Sequence, residues 1–148
     1  MNASLRHIAS LASVLALFAA TGVSLPAQQA AVEAQGAWIR LVPPSKTETA
    51  AYMVVVNHTP TARAVVAVSC DEAATAEMHE MKMDGKLMRM NQIQRIDVPA
   101  TGKATLAPNG LHIMLLGLKS HPAVGETVHL TLTLDDGTKV PVAAMVRK

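Results

Sequence analysis

Beyond residue 25 no stretch keeps an apolar period of 3.6; the apolar residues come in short runs broken by turn-forming residues. Thr127–Leu134 is the clearest run. Val128, Leu130, Leu132 and Leu134 alternate with Thr127, His129, Thr131 and Thr133, the mark of a strand with one buried and one wet face. Further runs are Ala37–Val42, Ala51–Asn57, Ala64–Ser69, Ala76–Met83, Leu87–Val98, Lys103–Leu106, Leu111–Leu116 and Thr138–Val146. Between them lie Pro43-Pro44-Ser45, Asn57-His58-Thr59-Pro60, Asp84-Gly85, Pro108-Asn109-Gly110 and Asp135-Asp136-Gly137, all built from residues that favour turns. The pattern predicts an all-β domain, an antiparallel sandwich or Greek-key barrel of seven to nine mostly antiparallel strands. A chain of 148 residues suits one such domain, and a net charge of +2 with no basic stripe argues against nucleic acid as a partner.

The first residues read differently. Arg6 and His7 precede an uncharged stretch from Ile8 to Val23, followed by small residues, the layout of a secretory signal over residues 1–24 with its cut at about 22–30. An uncleaved anchor is the alternative, and it usually needs about 20 apolar residues. No Cys lies near the cut for lipid attachment. The reading divides the chain into this signal, a polar spacer over 25–35 and a domain over 36–148. It places the mature chain in a bacterial periplasm, without stable membrane insertion.

Composition is odd in sulfur and aromatics: nine Met, but one each of Phe, Trp, Tyr and Cys. Six of the Met (78, 81, 83, 88, 90 and 114) fall within 37 residues. A two-residue turn at Asp84-Gly85 would set Met83 opposite Lys86, Met81 opposite Met88 and His79 opposite Met90. Strand alternation then puts His79, Met81, Met83, Met88 and Met90 on one face. In the run Leu111–Leu116, His112 and Met114 point the same way, with Ile113 and Leu115 turned to the core side.

Two imidazoles and two thioethers form a neutral, soft donor set. It suits Cu(I), whereas zinc prefers Cys, His or carboxylate and Ca or Mg prefers oxygen. Cys70, the lone thiol, precedes His79 and reads as a strand-end residue, so a thiolate blue-copper site is not expected. The competing account is that Met fills core gaps. His58 and His121 beside prolines, and His129 on the wet face of its strand, are not expected to be ligands.

The spacing His79, ten residues, Met90, twenty-one residues, His112, one residue, Met114 matches the His-x10-Met-x21-His-x-Met signature of the periplasmic copper chaperones called PCuAC. Ala37-Trp38-Ile39-Arg40, His79-Glu80-Met81, Met83-Asp84-Gly85 and Met114-Leu115-Leu116-Gly117-Leu118 are similar to that family as well, and the likeness spans about residues 35 to 146. Many members carry Met after the first His where this chain has Glu80. The resemblance implies a cupredoxin-like β-barrel and Cu(I) held by His79, Met90, His112 and Met114, and leaves open whether Cu(II) binds as well. It further implies a monomer that delivers copper to the CuA centre of cytochrome c oxidase subunit II, with a Sco-type copper chaperone as a further partner. A copper-sequestering or resistance protein, and a secreted β-sandwich interaction domain with structural Met, are the alternatives. No nucleophile triad, nucleotide loop or paired carboxylates point to an enzyme.

Overall fold

The structure, a computed structural model, describes residues 28–148, so the signal expected over 1–24 lies outside the described residues. Ten strands form one mixed sheet: β1 (Val32–Arg40), β2 (Glu48–Asn57), β3 (Arg63–Cys70), β4 (Ala73–Asp84), β5 (Leu87–Ile93), β6 (Ile96–Val98), β7 (Lys103–Leu106), β8 (Leu111–Leu118), β9 (Thr127–Leu134) and β10 (Lys139–Arg147). The spatial order is β5-β4-β8-β7-β2-β1-β10-β9-β3-β6, with β8 also paired to β2. The all-β expectation holds, and the count exceeds its range by one. The run Leu87–Val98 is two strands, because β5 pairs with β4 while Ile96–Val98 crosses over to pair with β3.

A second difference is at the start. Strand β1 begins at Val32, inside the stretch read as a polar spacer, and Val32–Gln35 pair with Asn57–Val54 of β2. Val32 is buried in the core, which anchors an otherwise polar segment. Pairing is antiparallel except for β1 with β10 and β7 with β8.

The alternation that predicts the strands also predicts their burial. Along β9 every even-numbered residue is buried, and β10 alternates without a fault from Lys139 to Arg147. The inward faces of β1, β2, β3, β8, β9 and β10 meet in a core of Ile39, Met53, Val55, Val65, Ile113, Leu115, Leu132, Leu134 and Val146. Almost all are β-branched or Leu, side chains that suit a pleated, half-buried surface and fill the sandwich without aromatics. The sheet curls so that β3 packs against β4 and β6 against β7.

Strand β2 positions the functional region. Its first half, Glu48–Ala51, pairs with β8, and its second half, Met53–Val56, pairs with β7. This fork frees the loop Pro108-Asn109-Gly110, where Asn109 takes the left-handed conformation (φ 65°) that Asn tolerates. Beyond the fork β8, β4 and β5 project as a three-stranded flap ending in the β4–β5 hairpin.

Candidate metal centre

Three neighbouring strands bring the sequence-predicted residues to one face. His79 on β4 lies directly opposite His112 on β8, with ring centroids 5.7 Å apart and planes tilted by 46°. Met114, two residues along β8, faces Glu77 on one side and Ala50 of β2 on the other. On the far side of β4, Met90 of β5 faces Met81, and Met88 faces Met83.

The hairpin register therefore differs from the expected one by two residues. His79 faces Gln92, and Met90 is its diagonal neighbour, a relation of about 7–8 Å between strands. The cause is the turn. Its two central residues are Gly85 and Lys86, while Asp84 pairs with Leu87. Gly85 has φ +62° and Lys86 does not enter the left-handed region, the φ pattern of a type II′ turn with Gly first. Asp84, released from the turn, accepts an ion pair from Arg89 at 2.6 Å. A shift by two keeps every side chain on its face, so the shared face of His79, Met81, Met83, Met88 and Met90 is as expected while the partners change.

Hydrogen bonds orient both imidazoles. His112 is 5% exposed, and its Nδ1–H donates to the Gly110 carbonyl at 3.1 Å, leaving the Nε2 lone pair free. His79 Nε2–H donates to the Glu77 carboxylate at 2.8 Å. Its Nδ1 is buried with no hydrogen-bond partner. An unpartnered buried ring nitrogen is costly unless something occupies its lone pair. Each ring thus offers one unclaimed nitrogen and fixes it through the other, the arrangement that outer carboxylates and carbonyls impose on metal-binding His.

A cleft of about 310 Å³ opens on the same face, its wall including Met81, Met90, Met114, Tyr52, Arg40 and Asn109 but neither imidazole. Tyr52 stands 6.3 Å from the His112 ring, stacks on Trp38 at 4.6 Å, and carries the Arg40 guanidinium over its face at 5.7 Å. Tyr52, itself buried at 5% exposure, thus forms part of the cleft wall with Trp38 packed against it. Among the described residues no three His, Cys, Asp or Glu gather to hold a metal. The donors that gather are imidazole and thioether, a set for a soft monovalent ion.

Glu77 joins the site without having been singled out as a member of it. It shares the odd-numbered face of β4 with His79 and Met81, so strand alternation alone could have found it. The other polar residues fall where expected. Cys70 ends β3, its thiol reaches the Glu72 carboxylate at 3.5 Å, and burial pushes its pKa up, keeping it a neutral thiol. It sits near Ala73, and β4 runs roughly 20 Å from there to His79. His58 is engaged with Glu33 and Gln29, His121 with the Lys46 carbonyl, and His129 is exposed.

The comparisons with known proteins agree with this fold. A family model for LpqE-like lipoproteins matches residues 32–146. A Leifsonia xyli subsp. xyli protein named as the lipoprotein Lxx21020 is 30% identical over 146 residues, covering 93% of this chain and 87% of that protein. The solution structure of CuI-DR1885 from Deinococcus radiodurans is 38% identical, covers 82% of both chains and superposes with a TM-score of 0.66. The apo form of that protein is 34% identical over 97% of both chains, with a TM-score of 0.63. A copper-bound PCuAC domain from PmoF2, 21% identical over 80% of this chain and 93% of its own, has the same fold with a TM-score of 0.67. The fold is that of the PCuAC domains, a class of copper-binding β-sandwich. The chain belongs to the LpqE-like family, the family of PCuAC domains.

Proposed function

We propose that this chain is a periplasmic copper chaperone that binds one Cu(I) through His79, Met90, His112 and Met114 and hands it to the CuA centre of cytochrome c oxidase. The observation that carries the reading is the His79–His112 pair. Each ring is locked by a hydrogen bond at one nitrogen and open at the other, on the same face as a cleft walled by thioethers. The copper-bound form of the Deinococcus radiodurans relative supports the choice of metal.

Four neutral donors leave the bound ion its single positive charge, so retention rests on soft-ligand match and on the nearby Glu77 carboxylate. Thioether ligands need no deprotonation, so only the two imidazoles make loading sensitive to acid. Release is built into the exposure of the ligands. His112 is 5% exposed, whereas Met90 is 49% exposed on the edge strand, so an acceptor thiolate can displace Met90 first and draw the ion off. This graded exposure favours a carrier over a sequestering protein, which would enclose its metal on all sides.

Transfer decides the matter. Cu(I)-loaded protein mixed with an apo CuA domain of oxidase subunit II is expected to lose its copper as the acceptor's purple absorption grows under mild oxidation. The Met90→Ala variant is expected to bind copper more weakly. Loaded protein that keeps its copper against apo subunit II, and against subunit II supplemented with a Sco-type chaperone, would refute the delivery role and leave sequestration.

Glu77 gives a finer test of the same centre. Glu77→Gln keeps a hydrogen-bond acceptor for His79 Nε2–H but removes the negative charge, and Cu(I) affinity is expected to fall about tenfold, the low end for an outer-sphere partner. A competition titration against a colorimetric Cu(I) chelator reads it. Unchanged affinity would mean that the Glu77 charge does not act on the ion.

A further inference from the structure

The β4–β5 hairpin beyond the site carries more sulfur than the four-ligand centre uses. Met81 faces Met90 and Met83 faces Met88, so two thioether pairs stack along one face of the hairpin. Directly opposed strand residues hold their Cβ atoms about 4.5–5.5 Å apart, and neighbours two apart on one strand are separated by roughly 7 Å. Three rotatable bonds let each Met swing its sulfur toward a shared point.

Packing does not account for these residues. Met78 and Met53 are the packing Met of this region, 5% and 2% exposed. By contrast Met83 is 61%, Met88 47% and Met90 49% exposed, three of the seven exposed large apolar side chains among the described residues. The opposite face shows what ordinary solvent-facing positions carry here: Glu80 pairs with Lys82 at 2.7 Å and Asp84 with Arg89 at 2.6 Å. One hairpin therefore has an ionic face and a thioether face, and the thioether face points to the same side as His79.

We infer that Met81, Met83 and Met88 form a second, weaker site for a soft monovalent ion, Cu(I) or Ag(I), next to the His/Met centre. Thioethers without charge or imidazole hold such ions and ignore hard divalent cations. With no imidazole and with more solvent exposure, this site fills after the first. Through the Met81–Met90 pair it borders the proposed centre, but it uses none of that centre's four ligands, so the two stand or fall separately.

The test is a stepwise Ag(I) titration of the full protein, labelled with ¹³C at the Met methyl groups and followed by NMR, with native mass spectrometry counting the ions. The methyls of Met90 and Met114 are expected to move during the first equivalent, and those of Met81, Met83 and Met88 during the second, to a total of two ions. The double variant Met83→Leu with Met88→Leu keeps side-chain volume and is expected to hold one ion and still show the first set of shifts. Methyls of Met83 and Met88 that stay still through the second equivalent, or a double variant that still takes two ions, would overturn the second site. If instead Met90, Met114 and the His rings never respond while Met81, Met83 and Met88 do, the hairpin site is upheld and the four-ligand centre fails.

Discussion

His112→Ala is expected to weaken Cu(I) binding by at least roughly 100-fold, the upper end of the cost of losing even an outer-sphere partner of a metal ligand. The ring is the most enclosed of the four proposed donors, at 5% exposure, and among the described residues no other imidazole stands near enough to replace it: His58, His121 and His129 lie outside the site. The fold is expected to survive. The Gly110 carbonyl that accepts the His112 Nδ1–H also accepts the Met81 amide at 3.1 Å, so removing the ring leaves no backbone oxygen orphaned. The loss of stability is then that of a buried ring, about 1–3 kcal/mol. Chelator competition for Cu(I), together with a urea melt of the apo protein, separates the two effects. A weakening below tenfold with an intact fold would remove His112 from the ligand set. Met114→Leu, which keeps volume and loses only sulfur, completes the comparison by asking whether the thioether itself is needed.

The contrast between what the residues announce and what only the fold supplies is sharpest in this site. Alternation along Thr127–Leu134 and turn residues such as Asp135-Asp136-Gly137 predict strands locally, because each depends on neighbours within a few positions. Face membership is equally local, which is why His79, Met81 and Met90 fall on one side even with the hairpin register displaced by two. The displacement itself turns on which residues of Asp84-Gly85-Lys86 occupy the turn, a choice between I′ and II′ that the dipeptide Asp-Gly does not decide alone. The His79–His112 pair is of another kind. It requires β8 to lie beside β4, across thirty-two intervening residues that include β5, β6 and β7, and that adjacency is set by core packing of Met78, Ile113 and Leu115 rather than by any local signal. The spacing motif marks His112 and Met114 as belonging with His79, and the topology shows how they meet. The start of β1 was hidden for a similar reason: Glu33 and Gln35 look like spacer, and only their pairing with β2 makes them strand.

Asn57→Ala is expected to cost the apo protein about 3–4 kcal/mol while leaving Cu(I) affinity of the folded protein unchanged. Asn57 ends β2 at 1% exposure and works as a hub. Its Nδ2 donates to the Thr61 carbonyl at 2.8 Å and the Pro99 carbonyl at 3.1 Å. Its Oδ1 accepts from the Thr59 amide at 3.0 Å and the Thr59 hydroxyl at 2.7 Å. One side chain thereby ties the turn between β2 and β3 to the turn between β6 and β7. Alanine would strand several of these partners at once, each worth about 1 kcal/mol as a bond and up to about 3 if left buried and unpaired. Water reaching the exposed side of the turn rehydrates some of them and keeps the total below the simple sum. At roughly 4 °C per kcal/mol for a domain of this size, the melting temperature is expected to fall by about 12–16 °C. Asn57→Asp should do no better, since it keeps the acceptor for Thr59 but loses both donated bonds and buries a charge. The metal centre is insulated from this damage by distance. Ala50, the β2 residue that pairs with Met114, lies seven residues from Asn57, roughly 23 Å along the strand. Calorimetry paired with chelator competition checks both halves, and a variant that melts normally yet binds copper poorly would show that the two ends of β2 are coupled rather than independent.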